Sequence, residues 1–379
     1  MIKYLKEFII GNAKNAIGWK TNRKIVVFSV DDYGNVRVNS KEARANMDKA
    51  GMKIYSRFDA LDTLETRQDL EQLYAVLNSV KDKNGKPAVF TPFALPCNID
   101  FEAMEAEDFQ KYHFETLPET YRKLSEQQPQ AYEGAWDLWK EGIAKGFMKP
   151  QFHGREHLNL TIFNDKLKKR DTELLTALKN KSYTSISDSD YPTMSSTAAF
   201  DFWNVKENET LVPVIEEGLQ LFEKVYGYRS TYCTPPVYNI HHSLFRTLRK
   251  NDINYIDLGL VRKEHQGLNV YKTFFNYIGK TTNEGLTIMV RNVVFEPTEE
   301  RGIDWVDFTM KQIETAFRWK KPAIISSHRV NFCGHIKEEN REKGLSTLKR
   351  LLDAIVKKWP DVEFMAADEL GNFLKNQRK

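Results

Sequence analysis

Cysteine is scarce: Cys97, Cys233 and Cys333 are the only three in 379 residues, and none forms a CxxC pair. An odd count without paired spacing argues against a disulfide framework and for reduced thiols. Long apolar runs are absent too, since nothing approaches the roughly 20 residues that cross a bilayer. The N-terminal residues carry Lys6 and Glu7 inside their apolar part and lack the h-region and cleavage site of a signal peptide. A cytoplasmic chain without a membrane span is expected. Charge of one sign is also lacking, because 56 Lys and Arg against 52 Asp and Glu leave only +4. With no basic stripe to follow a phosphate backbone, nucleic acid is not an expected partner. No internal repeat or low-complexity linker interrupts the chain.

What is present is core material. Hydrophobic residues make up 41% and charged residues 28%, the balance of a globular protein. From residue 24 onward, short β-rich runs alternate with amphipathic helices. Strands are expected at 25–30, 87–93, 149–152, 228–233, 254–258, 323–327 and 362–365. Ser40 is placed to cap a helix that stops near Gly51. Thr66 with Asp69 forms a capping box ahead of Leu70, Leu73, Leu77 and Val80. Further helices are expected over 165–179, 211–226 (with Gly227 as its stop), 242–250, 304–319 and 339–358. Such alternation argues for a parallel sheet with crossover helices, and about seven units favour a barrel over an open sheet. The acidic, aromatic-rich stretch at about 100–146 breaks the rhythm and reads as a helical insertion. Its rings, among them Tyr121, Tyr132, Trp136 and Trp139, read as the insertion's own core ahead of a platform for sugars.

Three motifs carry chemistry. Asp31-Asp32-Tyr-Gly follows the apolar run Ile25-Val-Val-Phe, which puts two carboxylates at a strand's carboxyl end, where α/β proteins build active sites. Adjacent side chains on an extended backbone diverge, so one carboxylate could hold a metal while the other moves a proton. His153 and His157, four residues apart, would share a helix face or meet across a tight loop and bind one cation. Zinc accepts two imidazoles and one carboxylate while keeping a position open for water. His328 follows the apolar strand Ala323-Ile-Ile-Ser-Ser and falls on the same carboxyl rim, either as a reactive group or as a hydrogen-bonded structural histidine.

In this order, Asp31-Asp32, His153-x-x-x-His157-Leu-Asn-Leu, Thr234-Pro-Pro-Val-Tyr238, Asp304-Trp305 and Ser-His328 resemble the five motifs of the polysaccharide deacetylase family, carbohydrate esterase family 4. The resemblance spans roughly residues 24–370. It implies a single domain over 1–379, an α/β fold built as a distorted (β/α) barrel, with the insertion at about 100–146 as extra sequence. It implies that Asp32, His153 and His157 hold a divalent metal, zinc by preference. Asp31 would be the general base and His328 the general acid. A backbone N–H near Val237 or Tyr238 would complete an oxyanion hole, with Trp305 in the fourth motif; the alternative for Asp304-Trp305 is a helix N-terminus with a core indole. The substrate implied is an acetylated polysaccharide or oligosaccharide, deacetylated at nitrogen or oxygen. Cys233-Thr234 stand where the family's third motif begins with an arginine that pairs with the catalytic Asp. Arg229 or Arg329 would replace it, or the base would go unpaired with a higher pKa. The opening motif also resembles chitooligosaccharide deacetylases, which would draw a metal histidine from His241 or His242, but the four-residue histidine spacing favours the first family.

Two other classes compete. One is a carbohydrate-binding barrel with impaired catalysis, for which the missing arginine speaks. The other is a metal-free glycoside hydrolase that pairs Asp31 or Asp32 with a second carboxylate such as Glu296, the two about 5 to 9.5 Å apart.

Overall fold

The computed structural model describes residues 11–377. The segment read above for a missing leader begins outside the described residues. No described helix is long and apolar enough to cross a membrane.

The central element is β1 (Ile25–Tyr33), whose nine residues are all buried. An apolar run covered on both faces is what an interior strand of a parallel sheet requires. It pairs in parallel with β2 (Phe90–Ala94) on one side and β12 (Ala323–His328) on the other, while β13 (Glu363–Phe364) pairs with its start. Beyond β2 lie β5 (Gln151–Phe152), β6 (Tyr232–Cys233), β7 (Tyr255–Asp257) and β10 (Thr287–Met289), and beyond β12 lies β11 (Val293–Val294). Every pairing in this sheet is parallel. Two antiparallel hairpins stand apart from it, β3 (Cys97–Ile99) with β4 (Phe114–Thr116) and β8 (Val261–His265) with β9 (Tyr271–Phe275).

The sheet curls into a barrel. Its path runs β10-β7-β6-β5-β2-β1-β12-β11, eight strands where the sequence pattern gives about seven. In a flat sheet, seven steps of about 4.8 Å would hold the two edges roughly 34 Å apart. Yet β10 and β11 are joined by Val290, Arg291 and Asn292 alone, and four residue steps span at most about 14 Å. The edges must therefore approach each other. These three residues cross the seam of the barrel.

Local signals act as expected at most helix ends. Ser40 accepts from the Ala43 amide, and Thr66 and Asp69 form the capping box of the helix Arg67–Asn78. Gly227 ends the helix Asn208–Tyr226 with φ 80°, a left-handed position that suits glycine. The expected helix over 165–179 is two helices instead, Leu160–Lys168 and Thr172–Lys179. Arg170 (φ 54°) breaks the run, and Asp171 caps the second helix by accepting from the Leu174 amide. The crossover from β2 to β5 holds the insertion. Trp139, Tyr121 and Tyr132 are fully buried there, and Trp139 meets Tyr33 of β1 edge-on at 5.8 Å. Its rings are core.

Candidate metal and acid/base centre

Parallel strands bring all their carboxyl ends to one rim. Asp31 and Asp32 lie near the end of β1, His153 follows β5, Asp257 ends β7 and His328 ends β12. Asp31 and His328 occupy paired register positions on neighbouring strands. Between Val30 and Tyr33 the β1–β2 register shifts, and Asp32 takes φ 74°. A bulge with a left-handed residue re-aims a side chain at a strain of about 1–3 kcal/mol. This lets two consecutive carboxylates serve separate partners on the same rim.

Asp32 faces the histidine pair. Its Oδ1 lies 3.1 Å from His157 Nε2 and 3.6 Å from His153 Nε2. The two histidines meet across a loop rather than along a helix, because the next helix begins only at Leu160. His153 Nδ1 donates to the Thr234 carbonyl at 2.6 Å. A carbonyl only accepts, so Nδ1 carries the proton and Nε2 of the neutral ring presents a lone pair. That Nε2 is buried without a hydrogen-bond partner and faces a carboxylate oxygen, as one acceptor faces another. His157 Nδ1 is likewise buried without a partner. Burial alone would raise the Asp32 carboxyl, but the His157 side chain leads the influences that outweigh it and hold the group well below the usual carboxylate range. Burial pushes His157 down, against the pull of Asp32. An ionised carboxylate beside an imidazole that burial pushes towards neutrality suits metal ligands, which bind deprotonated. The donor atoms lie within 4.8 Å of one another, and the set of two imidazoles and one carboxylate fits a divalent cation such as zinc.

Asp31 is held by a different partner. Arg291, on the seam, donates Nη1 to Asp31 Oδ2 and Nη2 to Oδ1, both at 2.7 Å. Its Nε donates to Asp257 Oδ2 at 2.8 Å, and Nη2 also reaches Thr234 Oγ1 at 3.0 Å. Asp257 accepts further bonds from the Tyr232 and Thr234 hydroxyls, at 2.7 and 2.8 Å. Neither arginine proposed from sequence takes this role. Arg229 is exposed and pairs with Glu223 and Asp252, whereas Arg329 is buried against Asp62 and Glu65. The legible signal for Arg291 was a lone charge inside the apolar run Ile288-Met-Val-Arg-Asn-Val-Val-Phe.

His328 completes the rim. Its Nδ1 donates to Glu296 Oε1 at 2.7 Å, and its Nε2 lies 3.9 Å from Asp31 Oδ2. Burial pulls the imidazole down, but the charge and hydrogen bond of Glu296, with Asp32 and Asp31 behind it, raise it to about 9. Glu296 also accepts from Asn331 Nδ2 at 2.7 Å and pairs with Arg57. Burial would raise the Glu296 carboxyl, but the His328 charge and hydrogen bond, with Arg57 and Asn331 beside them, hold it below its usual range. With His328, Asn331 and Arg57 all engaging it, Glu296 is poorly disposed to be the second carboxylate of a metal-free glycosidase.

Two oxyanion and substrate assignments need correction. The Tyr238 amide donates to the Pro235 carbonyl at 2.9 Å in a tight turn, so it is already engaged. The Val237 amide is the remaining candidate, on a residue at φ 56° that is largely exposed. Asp304 is a helix N-cap that accepts from the Val306 and Asp307 amides. The Trp305 indole is buried beside it and donates to the Glu299 carbonyl at 3.0 Å. Among the described residues, no hydrogen bond, ion pair or ring contact joins Trp305 to the Asp31–His328 group.

A second cluster, His241, His242 and Glu264, gathers the same ligand types. Here the bonds are closed internally. His242 Nδ1 lies 2.7 Å from Glu264 Oε1, which also accepts from Gln266 Nε2 at 2.8 Å, and Arg262 pairs with Oε2. His241 Nδ1 is 2.8 Å from the Ser243 hydroxyl. A third group, Asp100, Glu102 and Glu115, surrounds the Lys123 ammonium.

Fold and rim together define a curled parallel α/β barrel with a metal-competent triad beside a carboxylate and an imidazolium. No family model matches the chain, and no curated protein sequence matches it. Several solved structures similar to it are polysaccharide or peptidoglycan deacetylases. A protein from Mycobacterium smegmatis described as a polysaccharide deacetylase is 10% identical over 96% of this chain and 94% of its own, with a TM-score of 0.44. The peptidoglycan deacetylase PdaC from Bacillus subtilis is 14% identical over 94% of each chain, at 0.34. The 4-alpha-glucanotransferase from Thermococcus litoralis is 13% identical over 92% of this chain and 40% of its own, at 0.44.

Proposed function

We propose that this protein is a divalent-metal-dependent deacetylase that hydrolyses N-acetyl groups of a glycan or oligosaccharide, with O-acetyl groups as the alternative. The observation that carries this reading is the buried His153 Nε2 lone pair facing Asp32, on the same rim as an oriented carboxylate and an imidazolium. A cation held by Asp32, His153 and His157, zinc by its donor set, would supply Lewis-acid polarisation of the acetyl carbonyl and a more acidic water.

The chain's own groups do the proton work. Asp31 takes a proton from the attacking water; each of its oxygens keeps a second lone pair after the bond from Arg291. Arg291 fixes the plane of that carboxylate, so the base meets the water in one orientation. His328, positioned and kept protonated by Glu296, gives a proton to the leaving nitrogen through Nε2. The Val237 amide would donate to the carbonyl oxygen as it gains charge. Water and acetamide become acetate and a free amine.

Acetate release from N-acetylated oligosaccharides, with and without chelator, tests the reading. Activity is expected to vanish on chelation and return with zinc. Asp31→Asn is expected to keep the metal and lose roughly 10²–10⁴-fold in turnover; full activity in that variant would overturn the assignment. The catalytically impaired barrel loses its main support, because Arg291 supplies the partner that the third motif lacks.

A further inference from the structure

A cavity of about 340 Å³ adjoins this centre, within the roughly 300–1,000 Å³ that ligand pockets span. Arg37, Tyr55, Asp59, Ser185, Asp188 and Ser196 are among its lining residues. Two contacts tie it to the rim. The Arg37 guanidinium lies over the Phe58 ring at 5.2 Å, and that ring meets His328 edge-on at 5.3 Å. The positive charge of Arg37 also reaches Asp32 and His157 and lowers both.

The charged groups of the cavity differ in what holds them. Asp59 Oδ1 accepts from the Thr184 hydroxyl and the Ser185 amide, and its Oδ2 accepts from the Tyr55 and Ser56 amides. Asp188 accepts from the Ser196 amide through both oxygens, at 3.0 and 3.1 Å. These carboxylates shape the wall and have little left to offer a ligand. Arg37 is the opposite case. Among the described residues its ion-pair partner is Asp62, whose Oδ2 lies 3.3 Å from Arg37 Nε while Arg329 holds the other oxygen, Oδ1, at 3.0 and 2.9 Å. Arg37 Nε is buried without a hydrogen-bond partner, and the side chain is 12% exposed. A sheltered guanidinium with an unmade hydrogen bond thus lines a polar cavity beside the reaction centre.

We infer that this cavity is a subsite for a carboxylate carried by the substrate, with Arg37 as its receptor, so that the glycan is an acidic one. The inference rests on the deacetylase reading. A guanidinium fork matches a carboxylate in two parallel hydrogen bonds, which a neutral sugar cannot reproduce. The hydroxyl-rich segment 184–197 suits the sugar ring that bears it.

The test is calorimetric binding to the metal-loaded full chain of two matched probes. One is a tetrasaccharide of alternating N-acetylglucosamine and glucuronate, and the other is the same compound with its carboxyls reduced to alcohols. The acidic probe is expected to bind about tenfold tighter at low salt, with the ratio shrinking as salt rises. Arg37→Met is expected to bring the ratio near one. Arg37→Lys keeps a charge beside Asp62, so it is expected to fold and to lose part of the ratio. Equal affinities in the wild type, no binding of the acidic probe, or a ratio unchanged in both variants overturns the subsite. Acetate release is read on the same samples. A binding preference without acetate from either probe overturns the reaction and leaves the subsite, whereas acetate from both without a preference does the reverse.

Discussion

The Asp32–His153–His157 group and the His241–His242–Glu264 group offer the same ligand types, yet their internal bonds differ. In the second, the carboxylate is occupied by His242, Gln266 and Arg262, and His241 meets Ser243. In the first, His153 Nε2 and His157 Nδ1 have no hydrogen-bond partner although both residues are buried. A buried polar atom left without a partner is destabilising by about 1–3 kcal/mol. In the first cluster the unmade bonds fall on imidazole nitrogens that can ligate a cation, whereas in the second they fall on Arg262, which can only donate. Convergent ligand types alone do not separate a metal centre from a structural knot; the inventory of unmade bonds does.

That contrast can be broken by substitution. Asp32→Ala is expected to take metal content from one ion per chain to none and to abolish acetate release. An ion retained in this variant, by elemental analysis, would move the centre to the second cluster. Next in size is Arg291→Met, which removes an arginine whose bonds are all made. It leaves Asp31 and Asp257 buried without their counter-charge, at a loss of about 3–5 kcal/mol in denaturant unfolding. Bound metal should persist in the folded fraction.

Glu296→Gln acts through pH. The His328 value is raised in the folded chain to about 9. Its proton, and the stability it lends, are therefore fully present below the ordinary histidine value of about 6.5 and lost as pH rises through about 9. Without the Glu296 charge, the alkaline limb of the rate profile should move down towards neutrality; an unmoved limb would assign that limb to another group. The smallest effect is expected from His242→Ala. Metal content should not change, and stability should fall by about 1 kcal/mol, the scale of one hydrogen bond.

Much of this was legible locally. Strand β1, the capping box at Thr66 and the Gly227 stop follow from residues within a turn of one another. Asp31, Asp32, His153, His157 and His328 stood out because a polar side chain ended or followed an apolar run. Arg291 did not, because its partner lies 260 residues away and its own strand neighbours are two and three residues long. The hairpin β8–β9 was unread for a related reason. Its second strand is largely exposed, so no buried face imposed a pattern on it. At Trp305 two readings stood open from sequence, and burial selects the aromatic after an N-cap that belongs to the core.

The seam also behaves as a ruler. Surface connections ordinarily accept extra residues, but Val290–Asn292 is measured at both ends by strand pairing and in the middle by two carboxylates on different strands. One residue added there would carry the guanidinium out of step with Asp31 and Asp257 together. The least regular stretch of the barrel wall is therefore the one with the tightest tolerance on its length.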